Sequence, residues 1–124
     1  MEITVYYEDT DAQGVVYHAN YLKYFERARS SRLMQQKKHW DDMCAKKEAF
    51  VIKSLKVDFL SPARLGDRLE VKSTLKVVRP TLAIWHQSIY KDKQCLCQGE
   101  LEMAYINSFG KPKALPNYIE AFCI

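Results

Sequence analysis

The chain begins with a strand pattern and then changes to a helical one. Within residues 2–8, apolar side chains occupy every second position, which is the spacing of a strand with one buried face. The next segment, DTDAQGVVYHAN (9–20), is rich in turn-forming residues. Over residues 21–38 the apolar positions recur at intervals of three and four, which predicts an amphipathic helix. Asn20 is a plausible N-cap for this helix, with an earlier start at His18 or Ala19 as the alternative.

Beyond the helix the pattern has a period of two. Residues 39–49 predict a loop with a short helical turn at most. Four alternating segments follow, separated by short turns, and they centre on residues 55–59, 69–77, 82–86 and 101–105. Short connections of this kind join neighbouring antiparallel strands, so we expect a meander, followed by a tail over 107–124.

One long helix and about five strands do not make two flat layers, because a single helix is too narrow to cover five strands. We therefore predict an α+β fold in which a strongly curved antiparallel sheet wraps around one central helix, the arrangement called the hotdog fold. No linker or repeat divides residues 1–124, so one domain is expected. Such a sheet leaves a strand edge and apolar surface uncovered, which predicts a homodimer or a homotetramer.

Composition and charge narrow the function classes. No apolar run approaches the length of a membrane span and no signal-peptide pattern is present, so we expect a cytoplasmic protein without stable membrane insertion. The net charge of +4 is too small to indicate a nucleic-acid partner, and none is predicted. The cysteines form no CxxC pair and are predicted to be free thiols, at Cys44, Cys95, Cys97 and Cys123.

The segment between the first strand and the helix carries the candidate chemistry. Asp11 lies in a loop that leaves the strand, and Gly14 permits a positive φ or close approach of a ligand. A helix begins about seven residues later, and its first N–H groups are unpaired donors at the positive end of the helix dipole. Such donors stabilise the oxyanion that forms when a carbonyl is attacked, while a carboxylate acts as nucleophile or general base. The combination favours hydrolysis of an acyl group.

The run VYYEDTDAQGVVYHANYLKYFERARS (5–30) resembles the signature of the 4-hydroxybenzoyl-CoA thioesterase family, especially its YbgC-type branch. DFLSPARLGDRLEV (58–71) and GKPKALP (110–116) resemble further strand–turn patterns of that family. The resemblance implies hydrolysis of an acyl-CoA or acyl-carrier-protein thioester to the free acid and thiol, with a short-chain or aromatic acyl group as the family-level expectation. It also implies an active site shared between protomers, and no cofactor or metal.

The resemblance assigns roles to individual residues. Asp11 matches the catalytic aspartate, and the backbone N–H of His18 matches the donor that polarises the thioester carbonyl, with a supporting role for the His18 side chain. Arg79, at a hairpin turn, and Lys111, in the tail, are candidates for CoA binding. Ser31 stands where the branch usually has a glutamate, which is expected to alter rate or substrate preference. Further oxyanion or substrate contacts are expected at Gly14, Val15, Val16, Tyr17 and Asn20.

Other interpretations of the same residues remain open. The hexapeptide DTDAQG (9–14) partly matches a calcium loop, but its fifth position is Gln13 and its twelfth is Asn20, so no metal site is predicted. Asp11 alone is also typical of a turn or cap. Two rival functions are a dehydratase or hydratase that acts on acyl thioesters, and a non-catalytic scaffold that binds partners of envelope or lipid metabolism.

Overall fold

The computed structural model describes residues 1–122. Its largest element is an antiparallel sheet of six strands. The strands are β1 (Glu2–Thr4), β2 (Ala49–Phe59), β3 (Arg68–Arg79), β4 (Leu82–Lys91), β5 (Gln94–Ile106) and β6 (Pro112–Lys113). The helices are α1 (His18–Met34) and α2 (Lys37–Ala45), with 3₁₀ turns at Tyr7–Asp9 and Asn117–Phe122. None of the helices in this part of the chain is both long and apolar enough to cross a membrane.

Helix α1 lies across one face of the sheet, and strands from β3 to β2 contact it. The Phe25 ring is fully buried and lies over Gly99 of β5. Arg32 stacks on Trp85 of β4 with its guanidinium carbon 5.7 Å from the ring centroid. Near the start of the helix the ring centroids of Tyr21 and Phe59, on β2, are 5.7 Å apart. The predicted α+β hotdog architecture, a curved sheet wrapped around one central helix, is therefore confirmed.

The predicted meander is correct for β3, β4 and β5 but wrong for β2. The sheet order is β1-β3-β4-β5-β2, with β6 on the end of β5, so β2 pairs with the last long strand and not with β3. The connection between β2 and β3, residues 60–67, crosses the sheet end and bonds to the helix start, where Val16 N–H donates to the Ala63 carbonyl. These tertiary bonds stabilise a crossover that a short connection alone does not reveal.

Several predicted boundaries are corrected by local packing. Helix α1 begins at His18 with Tyr17 as its N-cap, so the prediction of Asn20 as N-cap is wrong. The chain leaves helical geometry at Gln36, inside the helix predicted to reach residue 38. It then forms the nine-residue α2, where a loop with a short helical turn at most was predicted, and Met43 is buried on this helix. The first strand ends at Thr4, and Tyr7 is 83% exposed in a 3₁₀ turn.

The cysteine prediction is confirmed for the residues that the structure describes. Cys44, Cys95 and Cys97 are free thiols, and burial raises the pKa of Cys97 to about 12, which keeps it a neutral, packed side chain. Cys123 lies outside the described residues.

A substitution at Gly99 tests how closely α1 packs against the sheet. A Cβ atom at this position would lie 2.9 Å from Cε2 of the buried Phe25 ring. Because overpacking a core costs about 1–3 kcal/mol, we expect Gly99→Ala to lower the free energy of unfolding by about that amount in urea denaturation. Gln98→Ala, on the exposed face of the same strand, is the control and should change it by about 0.5 kcal/mol or less. Equal effects of the two substitutions would contradict this packing.

Candidate active site

The loop that precedes α1 is closed on itself by backbone hydrogen bonds. Thr10 and Val16 form an antiparallel bridge, and the Asp11 N–H donates to the Val15 carbonyl at 2.9 Å. The Gly14 N–H donates to the Asp11 carbonyl at 3.0 Å, and Gly14 has φ +77°, which other residues adopt at a cost. Both backbone groups of Asp11 are therefore fixed within the loop.

The Asp11 side chain is exposed on this loop. Its Oδ1 accepts the Gln13 N–H at 2.9 Å, a side-chain turn that fixes the carboxylate against the loop backbone. Within residues 1–122 no cation forms a salt bridge with Asp11, and Oδ2 receives no hydrogen bond. One carboxylate oxygen is thus available to a substrate carbonyl or a water molecule.

The start of α1 presents unpaired donors. The N-cap Tyr17 forms no side-chain cap with the described residues, and its own N–H donates to the Asp9 carbonyl. The Asn20 N–H donates to the Tyr17 carbonyl at 2.8 Å. Within residues 1–122 the N–H groups of His18 and Ala19 donate no hydrogen bond, so they remain free at the positive end of the helix.

A groove of about 280 Å³ opens beside these donors. Phe59 borders it from β2, and its ring centroid lies 6.0 Å from that of His18 in an edge-on arrangement. Phe59 is 50% exposed, although it pairs with the buried Cys97 and therefore points to the same side of the sheet as the core. The lining residues are Val16, His18, Tyr21, Phe59, Leu60, Ser61 and Pro62.

Tyr21 fixes the second wall of the groove. Its phenol oxygen accepts the Ala63 N–H at 3.1 Å, while the Ala63 carbonyl accepts the Val16 N–H at 2.8 Å. Burial raises the pKa of Tyr21, so the phenol stays neutral. Sequence reasoning missed Tyr21, Phe59 and Leu60 as lining residues, because the first two fit the apolar pattern of a core equally well.

The predicted site residues divide into those that line the groove and those that do not, and Asp11 is among the latter. Val16 and His18 line the groove, and the half-exposed Tyr17 has its ring centroid 4.6 Å from that of His18. Gly14 and Val15 shape the loop behind them, while the Asn20 side chain donates to the Asp9 carbonyl. None of the described His, Cys, Asp and Glu residues form a group of three or more that could hold a metal ion.

The two CoA candidates lie elsewhere. Arg79 ends β3, and Lys111 precedes β6, which pairs with the end of β5 at Ile106. The groove is at the other end of β5, where Cys97 pairs with Phe59. Nine residues of strand separate Cys97 from Ile106, or about 30 Å. Within one protomer the structure therefore does not bring Arg79 and Lys111 to the groove.

Known proteins with a similar sequence or structure share this architecture. Residues 13–98 match the sequence model of a protein family described as "Thioesterase superfamily". The acyl-CoA thioesterase YbgC of Helicobacter pylori is 45% identical over 102 residues, which cover 82% of this chain and 71% of the relative. The acyl-CoA thioester hydrolase YbgC of Escherichia coli O6:H1 is 37% identical over 121 residues, which cover 96% and 90%.

Among solved structures, the 1,4-dihydroxy-2-naphthoyl-CoA thioesterase Slr0204 from Synechocystis superposes with a TM-score of 0.85. It is 26% identical, and the match covers 98% of this chain and 91% of that one. The chain therefore belongs to the thioesterase superfamily, as a thioester hydrolase of the YbgC type with the hotdog fold.

Proposed function

We propose that the protein hydrolyses acyl-CoA, or a related acyl-carrier-protein thioester, to the free acid and the thiol, with Asp11 as its catalytic carboxylate. The observation that carries this proposal is the start of α1, where the free N–H groups of His18 and Ala19 adjoin a groove. The loop that bears Asp11 runs directly into this helix start. The YbgC relatives support the acyl-CoA substrate by their names.

In the proposed reaction the thioester carbonyl oxygen accepts the His18 N–H. This polarises the carbonyl carbon, and the helix dipole stabilises the negative charge that develops on the oxygen. Asp11 either attacks the carbonyl carbon or removes a proton from the attacking water. The C–S bond then breaks, the sulfur receives a proton, and water supplies the oxygen of the free acid. The His18 side chain, on the groove wall, has a supporting role.

The groove supports a compact acyl group. Its volume is about 280 Å³, and the rings of His18, Tyr21 and Phe59 form much of its lining. Aromatic side chains of this kind pack well against planar or short acyl groups. A short-chain or aromatic acyl thioester is therefore the proposed substrate, and the proposed reaction occurs in the cytoplasm without a cofactor or metal.

A second copy of the chain is proposed to complete the site. Within the described residues β2 pairs with β5 alone, so the other edge of this strand is open, and Leu55 is 47% exposed beside it. Two-fold antiparallel pairing of β2 with its equivalent would extend the sheet and put a further wall beside the groove. The same pairing brings the Ala49 end of one copy towards the Phe59 end of the other. Arg79 and Lys111 remain CoA candidates on that basis, in a homodimer or homotetramer.

The role of Asp11 is tested by Asp11→Asn, which keeps the shape of the side chain but removes its charge. We expect kcat to fall by about 100-fold or more, since the variant has neither nucleophile nor base. Thiol release from a panel of acyl-CoA and acyl-carrier-protein thioesters measures this, with circular dichroism and sedimentation to verify folding and assembly. Glu8→Gln, in the exposed turn just before, is the matched control. An unchanged kcat in Asp11→Asn would rule out this role, and no release from any thioester by the unmodified protein would favour a scaffold.

The open edge of β2 is tested by Leu55→Asp. A charge on this half-exposed residue should prevent pairing with a second copy while costing the protomer little, since Leu55 is not buried. Sedimentation should then show a monomer, and kcat/KM should fall by about 10-fold or more because the groove loses a wall. Val78→Asp, at a comparably exposed apolar residue of β3, is the control. A monomer with full activity would disprove a shared site.

The acyl preference is tested at Phe59. Phe59→Ala widens the groove and removes the edge-on ring contact with His18, but it leaves Asp11 and the backbone N–H groups of the helix start in place. The kcat/KM for longer linear acyl groups should therefore rise relative to that for short or aromatic ones. We expect the ratio of kcat/KM for decanoyl-CoA to that for benzoyl-CoA to rise by about 10-fold. Phe59→Leu, which keeps most of the volume, should change this ratio much less. An unaltered ratio in the alanine variant would mean that the acyl group does not contact Phe59.

A further inference from the structure

Asp9 joins the end of the first strand to the loop that bears Asp11. The residue is buried, with 8% of its surface exposed. The Oδ2 atom accepts the Tyr6 N–H at 2.9 Å, and the Asp9 N–H donates to the Tyr6 carbonyl at 3.0 Å. The pKa of Tyr24 on α1 is raised, first by burial and then by the neighbouring Asp9 carboxylate. Asp9 is therefore held in place between the first strand and α1.

The backbone carbonyl of Asp9 is hydrogen-bonded to the start of α1. It accepts two hydrogen bonds, one from the Tyr17 N–H at 3.0 Å and one from the Asn20 side-chain amide at 2.9 Å. Any residue at position 17 other than proline could supply the first bond, because the donor is a backbone group. The second bond requires the side chain of residue 20, which lies on the first turn of α1.

The proposed site has two parts, the Asp11 carboxylate and the His18 N–H, and the hydrogen bonds of the Asp9 carbonyl connect the segments that bear them. Asp11 is on the loop, which its own backbone bonds hold closed between Thr10 and Val16. The His18 N–H is on the helix. The bonds within the loop set part of the distance from the Asp11 carboxylate to that donor, and the attachment of the loop to the first turn of the helix at Asp9 sets another part.

We propose that Asn20 is a positioning residue for thioester hydrolysis, because its amide fixes the Asp11 loop relative to the free N–H of His18. This inference rests on the proposed function and assigns Asn20 a task other than N-capping or substrate binding. Its backbone N–H donates to Tyr17, and its side-chain amide donates to Asp9. A misplacement of about 1 Å at a reacting group is enough to reduce a rate by about 100-fold.

The test is Asn20→Ala, measured on the full chain with acetyl-CoA and benzoyl-CoA. Alanine is the most favourable residue within a helix, so the helix itself is not weakened. We expect kcat to fall by about 10- to 100-fold with KM changed by less than about twofold, because the substrate is still bound but the carboxylate is misplaced. A substrate ligand would instead raise KM. A merely structural residue would lower the melting temperature and leave kcat per folded molecule unchanged.

Asn20→Gln retains an amide donor and should recover part of kcat, whereas Lys23→Ala, on an exposed position of the same helix, should match the unmodified protein. Full kcat in Asn20→Ala, or a raised KM with kcat preserved, would overturn the positioning role. The Asp11→Asn variant separates this inference from the proposed function. If Asp11→Asn is inactive and Asn20→Ala is normal, only the positioning role fails, whereas an active Asp11→Asn removes the basis of both.

Discussion

The close approach of helix α1 to the sheet at Gly99 determines the rest of the structure. The Phe25 ring occupies the space that a side chain at Gly99 would fill. On the adjacent strand Gln87 donates to the Phe25 carbonyl and to Ser73 Oγ, and Arg29 donates to Gln87 Oε1. Burial lowers the pKa of Arg29, and the nearby Glu26 carboxylate offsets only part of that effect. A packed ring and a buried polar network together set where the helix lies, and therefore where its start meets the groove.

The architecture could be predicted from the sequence wherever local periodicity carries the information. The stripe of Tyr21, Tyr24, Phe25 and Ala28 predicted the buried face of α1, and the alternation of β3 predicted its two faces. The position of β2 beside β5 was not predictable in this way. Strand pairing depends on contacts between residues about fifty positions apart, and neither strand encodes its partner in its own pattern. The helix boundaries failed for a different reason, since tertiary bonds around Asp9 and the packing of Met43 override local preferences.

In the candidate site, too, local sequence predicted some residues, whereas others depend on contacts between distant parts of the chain. Asp11 and His18 were predicted from a contiguous motif, and in the structure the loop that bears Asp11 leads into the helix start at His18. Phe59 is nearly fifty residues from Asp11 in sequence and enters the groove only through the register of β2 with β5. Arg79 was chosen for its charge and its turn, which do not specify the end of the sheet at which it lies. Asn20 was recognised as important in the motif, but its hydrogen-bond partner could be identified only from coordinates.

The uncapped start of α1 links the stability of the fold to its chemistry. A residue such as serine or aspartate at position 17 would supply the acceptor that a helix start favours, worth about 1 kcal/mol. Its side-chain oxygen would also occupy the space beside His18 and Ala19 that the proposed mechanism assigns to the carbonyl oxygen of the substrate. A ligand that binds there completes the helix, so occupancy and folding free energy rise together. Under the proposed mechanism the protein thus retains a weakened helix end that selection for stability alone would repair, and a stabilised descendant with a better cap would be a poorer catalyst.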